Sequence, residues 1–215
     1  MYKFIESLKA NWLVLLNNPM SILAIVAVIL LILAIIKFKK IDLDAQIISR
    51  IGIALALASI LNMFKISVLP NGGGSISIGS MLPILLIAFI YGPHIGLLTG
   101  FLFGIISLII NPFILHPIQV LFDYPLPFMA VGIAGYFRKN MFLGTTIGMF
   151  LKFLCHFISG YIFFGEYAWA GWSPILYSLT VNGLMVGGEL LICLVLIAIL
   201  PINRIIKESV STTSY

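Results

Sequence analysis

The stretch KFLCHFISGYIFFGEY, residues 152 to 167, places a lysine and a histidine four residues apart inside a run apolar enough to lie in a bilayer. Ionisable groups at that depth are costly unless something there needs them. Residues four apart share one face of a helix. Lys152, His156, Gly160 and Phe164 therefore form a single stripe: a cation, an imidazole, a gap and an aromatic plane. Upstream, HPIQVLFDYPLPF sets Gln119 four residues before Asp123, with Tyr124 beside it; downstream, SPILYSLTVNG supplies Tyr177 and Asn182. A carboxylate, two phenols, an amide, an imidazole and an aromatic plane at one depth suit a small, flat, cationic solute with donors and acceptors on its edge. The competing reading is polar contact between helices that serves the fold alone.

Catalysis has weaker support. Cys155 and His156 are adjacent, so on a helix their side chains diverge by about 100°. His156 and Ser159 share a face, but no G-x-S-x-G elbow surrounds them. The Walker A pattern does not occur, so the chain is not expected to hydrolyse ATP by the usual route. His94, His116 and His156 are too far apart for a zinc-ligand spacing, and Cys155 and Cys193 match no metal or redox motif. The expectation is a binding or transport protein, neither an enzyme nor a holder of a cofactor or metal.

The elements that position these residues must be membrane helices. Of 215 residues, 61% are hydrophobic and 9% charged, and the mean hydropathy is +1.18. A soluble domain carries about 25% charged residues. Apolar runs near 19–36, 48–66, 117–137, 143–165 and 174–201, with two short ones in 81–111 divided by YGPH, give seven expected spans. Residues 1–18 read as a tail or interfacial helix, with Phe4, Leu8 and Trp12 on one side. The charge of +5 points to no nucleic acid, because the basic residues sit in short clusters beside the spans. Lys37, Lys39, Lys40, Arg50, Arg138, Lys139, Arg204 and Lys207 fall on one side if the last six spans form a core. The loops 67–79, 112–116 and 167–173 contain no Lys or Arg, so both ends of that core are expected in the cytoplasm. No signal-peptide cleavage site is evident.

Small residues let helices approach closely in lipid. Gly96, Gly100 and Gly104 make one such ridge, for which contact inside the bundle is the simpler reading. Ala54 and Ala58, flanked by Gly52 and Ala56, make a second, which fits either internal contact or a docking face for another membrane protein.

From about residue 44 to 201 the chain resembles the ThiT (YuaJ) family, the thiamine-specific substrate-binding subunits of energy-coupling factor transporters. The resemblance rests on GGGSISIGSMLPILLIAFIYG, GLLTGFLFGI, HPIQVLFDYPLPF, KFLCHFISGYIFFGEYA and SPILYSLTVNG, in that order. It implies an all-α, six-helix membrane bundle, residues 44–203, that binds thiamine near the outer surface. It also implies a transmembrane coupling subunit and two ATPase subunits as partners, in a prokaryotic cell membrane. By the same resemblance the pocket residues are Asp123, Tyr124, Lys152, His156, Gly160, Phe164, Tyr177 and Asn182, and the docking residues are Ala54 and Ala58. Lys152 is then expected either to donate to a ring nitrogen of the aminopyrimidine or to pair with Asp123 in the empty site.

Departures from the family pattern are also legible. Some members have Glu at the position of Asp123 and Trp at that of Phe164. An outer-loop Trp of some members falls near Gly73 here, so Trp169 or Trp172 would have to supply that wall. The run 19–36 lies outside the resemblance and reads as an extra first helix (19–43 with its hinge), and 204–215 as a cytoplasmic tail. A carrier for a thiamine precursor or other flat vitamin, or a stand-alone proton-coupled transporter using Asp123 or His156, remains the alternative.

Overall fold

In the computed structural model, residues 43–67 and 74–211 are described. The expected tail 1–18, the run 19–36 with its hinge up to residue 42, and Gly73 lie outside the described residues. Asp44 opens the first described helix, α1 (Ala45–Met63), its carboxylate accepting the Ile47 N–H at 2.7 Å. The span expected to reach residue 66 ends earlier. Lys65–Ser67 (β1) and Ser75–Ser77 (β2) instead pair as an antiparallel hairpin, with Ile66 opposite Ile76. The stretch 67–79, read as a loop, thus contributes a strand.

Proline in the first turn opens each of the next four helices, where its missing N–H costs nothing: α2 (Leu82–Tyr91), α3 (Pro93–Ile110), α4 (Pro117–Asp123) and α5 (Pro125–Val131). The YGPH break is a single residue, Gly92, whose φ of 92° is open to glycine at no steric cost. Helix α5 continues as a 3-10 turn, Gly132–Phe137, and then come α6 (Met141–Phe163), a 3-10 turn Gly165–Tyr167, α7 (Pro174–Ile199) and α8 (Ile202–Ser211).

Among the described residues, five segments are long and apolar enough to cross a membrane: α1, α3, the combined Pro117–Phe137 segment, α6 and α7. Helix α2 is not. Its 10 residues extend about 15 Å, half of a hydrocarbon layer of about 30 Å. Eight of its residues are buried, so it is a core helix wrapped by the others. The hairpin, between α1 and α2, leads the chain into the start of α2. Extended backbone is tolerated inside a membrane bundle where it is enclosed by protein and lines a cavity.

The main core joins Leu85 and Phe89 of α2, Phe103 of α3, Val131, Met149 of α6, and Val186 and Cys193 of α7. The glycine ridge of α3 serves this bundle. A Cβ at Gly100 would lie 2.0 Å from the Phe128 carbonyl oxygen, and one at Gly104 would lie 2.5 Å from that of Tyr124. Large apolar side chains such as Ile53, Leu57, Phe150, Leu191 and Val195 are exposed, as a lipid-facing rim requires.

Arg50 and Arg138 meet at one end, around the close of α2. Arg138 donates to the carbonyl oxygens of Phe89 (2.7 Å) and Ile90, satisfying the end of α2. Arg50 donates to the Tyr91 hydroxyl and, at 2.9 Å, to the Ser209 carbonyl oxygen. Residues 204–211 of the expected tail lie in α8, which begins at Ile202, itself buried.

Candidate functional site

Near the opposite end, α4, α6, α7 and the hairpin enclose a cavity in two adjoining lobes. The shallow lobe, about 180 Å³, is lined by Asp123, His156, Gly160, Phe164, Tyr177, Val181, Asn182 and Met185. The deep lobe, about 260 Å³, shares Asp123, His156 and Met185 and adds, among others, Lys65, Ser77, Ser107, Tyr124, Lys152 and Glu189.

Asp123 stands at the junction because proline breaks the segment just after it. Pro125 has no N–H to donate to the carbonyl four residues back and its ring crowds that carbonyl, so α4 ends at Asp123 and α5 starts anew. The carboxylate accepts from Gln119 Nε2 at 2.5 Å and lies 3.6 Å from His156 Nδ1. Gln119, fully buried, also accepts the Leu115 N–H at 2.9 Å and donates to the Phe113 carbonyl at 3.1 Å. One amide therefore ties the 111–116 loop to the carboxylate. Tyr124 reinforces that loop: its hydroxyl accepts from Phe113 N–H at 2.7 Å and donates to the Asn111 carbonyl at 2.9 Å. The Tyr124 ring lines the deep lobe, while its hydroxyl is committed to the loop.

The stripe on α6 is as the spacing implies. Lys152, His156, Gly160 and Phe164 all border the cavity. At Gly160 the gap admits α7: a Cβ there would lie 2.3 Å from Ser178 Oγ and 2.7 Å from Asn182 Nδ2. Asn182 is anchored by donating to the Ser178 carbonyl at 3.0 Å. Phe164 stacks on Phe113 with ring centroids 5.8 Å apart, and the Phe128 ring meets the His156 ring edge-on at 6.3 Å.

Two expectations need correction. Lys152 does not pair with Asp123; its ammonium meets Glu189 of α7, and both are buried. Ala54 and Ala58 do not present a docking face. Ala58 is fully buried in the main core, and Ala54 is buried beside Ile51, Ile87 and Ile95, so both hold α1 against the bundle. Gly52 and Ala56 are the exposed small residues of that helix. Trp169 and Trp172 contact each other, and Trp169 meets the Tyr177 ring at 5.7 Å; neither lines the two lobes.

Glu189, Lys65, Ser77 and Ser107 line the site without having been singled out by sequence reasoning. For Glu189 a signal existed: a lone acid in LMVGGELLICLV demands a buried partner, and Lys152 was the available cation. For Ser77 the signal was the SISI alternation at 75–78, which has the two-residue period of a strand. The Ser107 hydroxyl is buried and has no hydrogen-bond partner among the described residues.

Membrane-crossing helices packed around an internal cavity with carboxylate, imidazole, amide and aromatic walls define a multi-pass membrane protein. Its residues 48–208 match the family described as thiamine transporter protein (YuaJ), and the chain belongs to that family. The thiamine transporter ThiT of Bacillus subtilis strain 168 is 37% identical over 145 residues, covering 60% of this chain and 75% of the relative. The ThiT of Lacticaseibacillus paracasei strain ATCC 334 is 34% identical over 123 residues, covering 48% and 61% respectively. The solved structure of ThiT from Listeria monocytogenes superposes with a TM-score of 0.66 at 26% identity, over 71% of this chain and 91% of that one. These relatives are named for transport, a non-enzymatic function.

Proposed function

We propose that this chain is the thiamine-binding subunit of an ATP-driven energy-coupling factor importer. The observation that supports this most is the position of Asp123, a carboxylate held between an aromatic lobe and a polar lobe by a neutral amide. Thiamine joins a permanently cationic thiazolium to a neutral aminopyrimidine. The cation matches Asp123 and nearby aromatic faces, which attract positive charge. The edge of the aminopyrimidine matches Asn182, Tyr177, His156 and the Ser107 hydroxyl. By the positive-inside rule the basic end, with α8, faces the cytoplasm and the cavity opens toward the outside.

Delivery would require partners, since the chain has no ATP-binding loop of the Walker type. In this reading the coupling subunit meets α1 along Gly52 and Ala56, where a partner helix can come close. The membrane of a prokaryotic cell is the setting, with no resident cofactor.

Mass spectrometry of small molecules retained by the purified protein tests the ligand directly. Thiamine should be recovered in near-stoichiometric amount. Recovery of a precursor or another flat vitamin instead would replace thiamine as the ligand while keeping the site.

A further inference from the structure

Glu189 lies in the middle of α7 and gathers three donors. It accepts from Lys152 Nζ, from Ser77 Oγ and, at 3.3 Å, from the Ser77 N–H. Ser77 Oγ in turn meets Ser80 Oγ at 2.6 Å. The hairpin is pressed onto α7 beside this acid: a Cβ at Gly188 would lie 2.4 Å from Ile76 Cδ1. Lys152 sits one helical turn from His156, the residue that meets Asp123. Its Nζ lies 5.0 Å from the Phe128 ring centroid. The charged groups lining the deep lobe are thus Lys65, Lys152, Asp123 and Glu189, with His156 between the lobes. A buried ammonium takes whichever carboxylate is held ready for it, because an unpaired charge at such a site is strongly disfavoured.

We propose that Glu189 is a positioning residue for cation selectivity. By holding the Lys152 ammonium on α7, it leaves the Asp123 carboxylate for the positive ring of the ligand. This rests on the reading of the cavity as a thiamine site. Without Glu189, the ammonium would turn to Asp123, which lines the same lobe beside His156, and the cavity would gain a positive charge facing the thiazolium. Two lysines balanced by one carboxylate would then repel the ligand that the wild-type cavity attracts. Ser77 and Ser80 complete the device by fixing the second carboxylate oxygen and tying the hairpin to it.

The test compares two ligands on the full-length protein by calorimetry: thiamine, and its uncharged isostere in which a thiophene replaces the thiazolium. Glu189→Gln should lower the affinity for thiamine by at least about tenfold, the scale of one unit charge acting across a few ångströms of partly polar interior. The affinity for the thiophene isostere should fall by less than about threefold. Equal losses for both ligands, or unchanged thiamine affinity, would overturn the proposal. Because Glu189→Gln removes the partner of a buried ammonium and can fail to fold, the double variant Lys152→Met with Glu189→Leu provides a second reading. It removes both charges together, so the ratio of the two affinities should stay within about threefold of wild type. A ratio that collapses toward one would overturn the proposal equally. Wild-type protein that binds neither ligand would instead sink the thiamine reading itself.

Discussion

Asp123 is set in place by its neighbours. Gln119 spends its oxygen on the Leu115 N–H and its nitrogen on Asp123 and the Phe113 carbonyl, so loop and carboxylate move as one. Gln119→Leu keeps the side chain's bulk but leaves these groups unpaired in a buried site, at about 1–3 kcal/mol for each stranded group. Thiamine affinity should drop about tenfold or more in that variant, read by calorimetry. Unchanged affinity would mean that α4 aims Asp123 without help. His156→Ala removes the imidazole 3.6 Å from Asp123 and one edge of the contact with Phe128, and weaker binding is again the expected outcome. At this scale much was legible: four-residue spacings alone brought Lys152, His156, Gly160 and Phe164 to one cavity. The partner of Lys152 was not legible, because Glu189 comes close only through the crossing of α6 and α7, which no local pattern encodes.

Among the elements, α1 separates two roles that its sequence blurs. Every second residue from 52 to 58 is small, so Gly52, Ala54, Ala56 and Ala58 look equivalent along the chain. The helical period divides them: Ala54 and Ala58 face inward and Gly52 and Ala56 outward. Ala58→Trp would force an indole into a site with no free space and should lower the melting temperature of the isolated protein markedly, an overpacking cost of about 1–3 kcal/mol or more. Ala56→Trp should leave melting temperature and thiamine binding alone while transport by the complete complex falls. Transport that survives Ala56→Trp would move the coupling interface off α1. Helix α3 depends on glycine in the same way, through backbone contact with the α4–α5 break. Gly104→Leu should destabilise the bundle and disturb Asp123 together, since its Cβ would strike the Tyr124 carbonyl. The hairpin is the element that sequence reasoning missed. GGG upstream of SISI reads as a loop, and three-residue strands fall below the length at which alternation is persuasive.

For the molecule as a whole, a binding bundle without an ATP-binding loop should capture its ligand yet not concentrate it. Cells or vesicles that hold this chain but lack the coupling and ATPase subunits should show binding without accumulation. Concentrative uptake there would favour a proton-coupled carrier using Asp123 or His156. The class and the family were legible across the described bundle because membrane spans, positive clusters and pocket residues are all written locally. The half-length α2 was not, since its run of apolar residues looks the same whether it crosses lipid or is wrapped by other helices. Whether Asp123 binds the cation of thiamine inside this bundle is read from one calorimetric comparison. Asp123→Asn keeps shape and hydrogen bonding but removes the charge, and it should weaken thiamine binding by about 3 kcal/mol, roughly a hundredfold. Equal affinity in wild type and Asp123→Asn would rule this out, leaving the half-buried carboxylate a role in the fold alone.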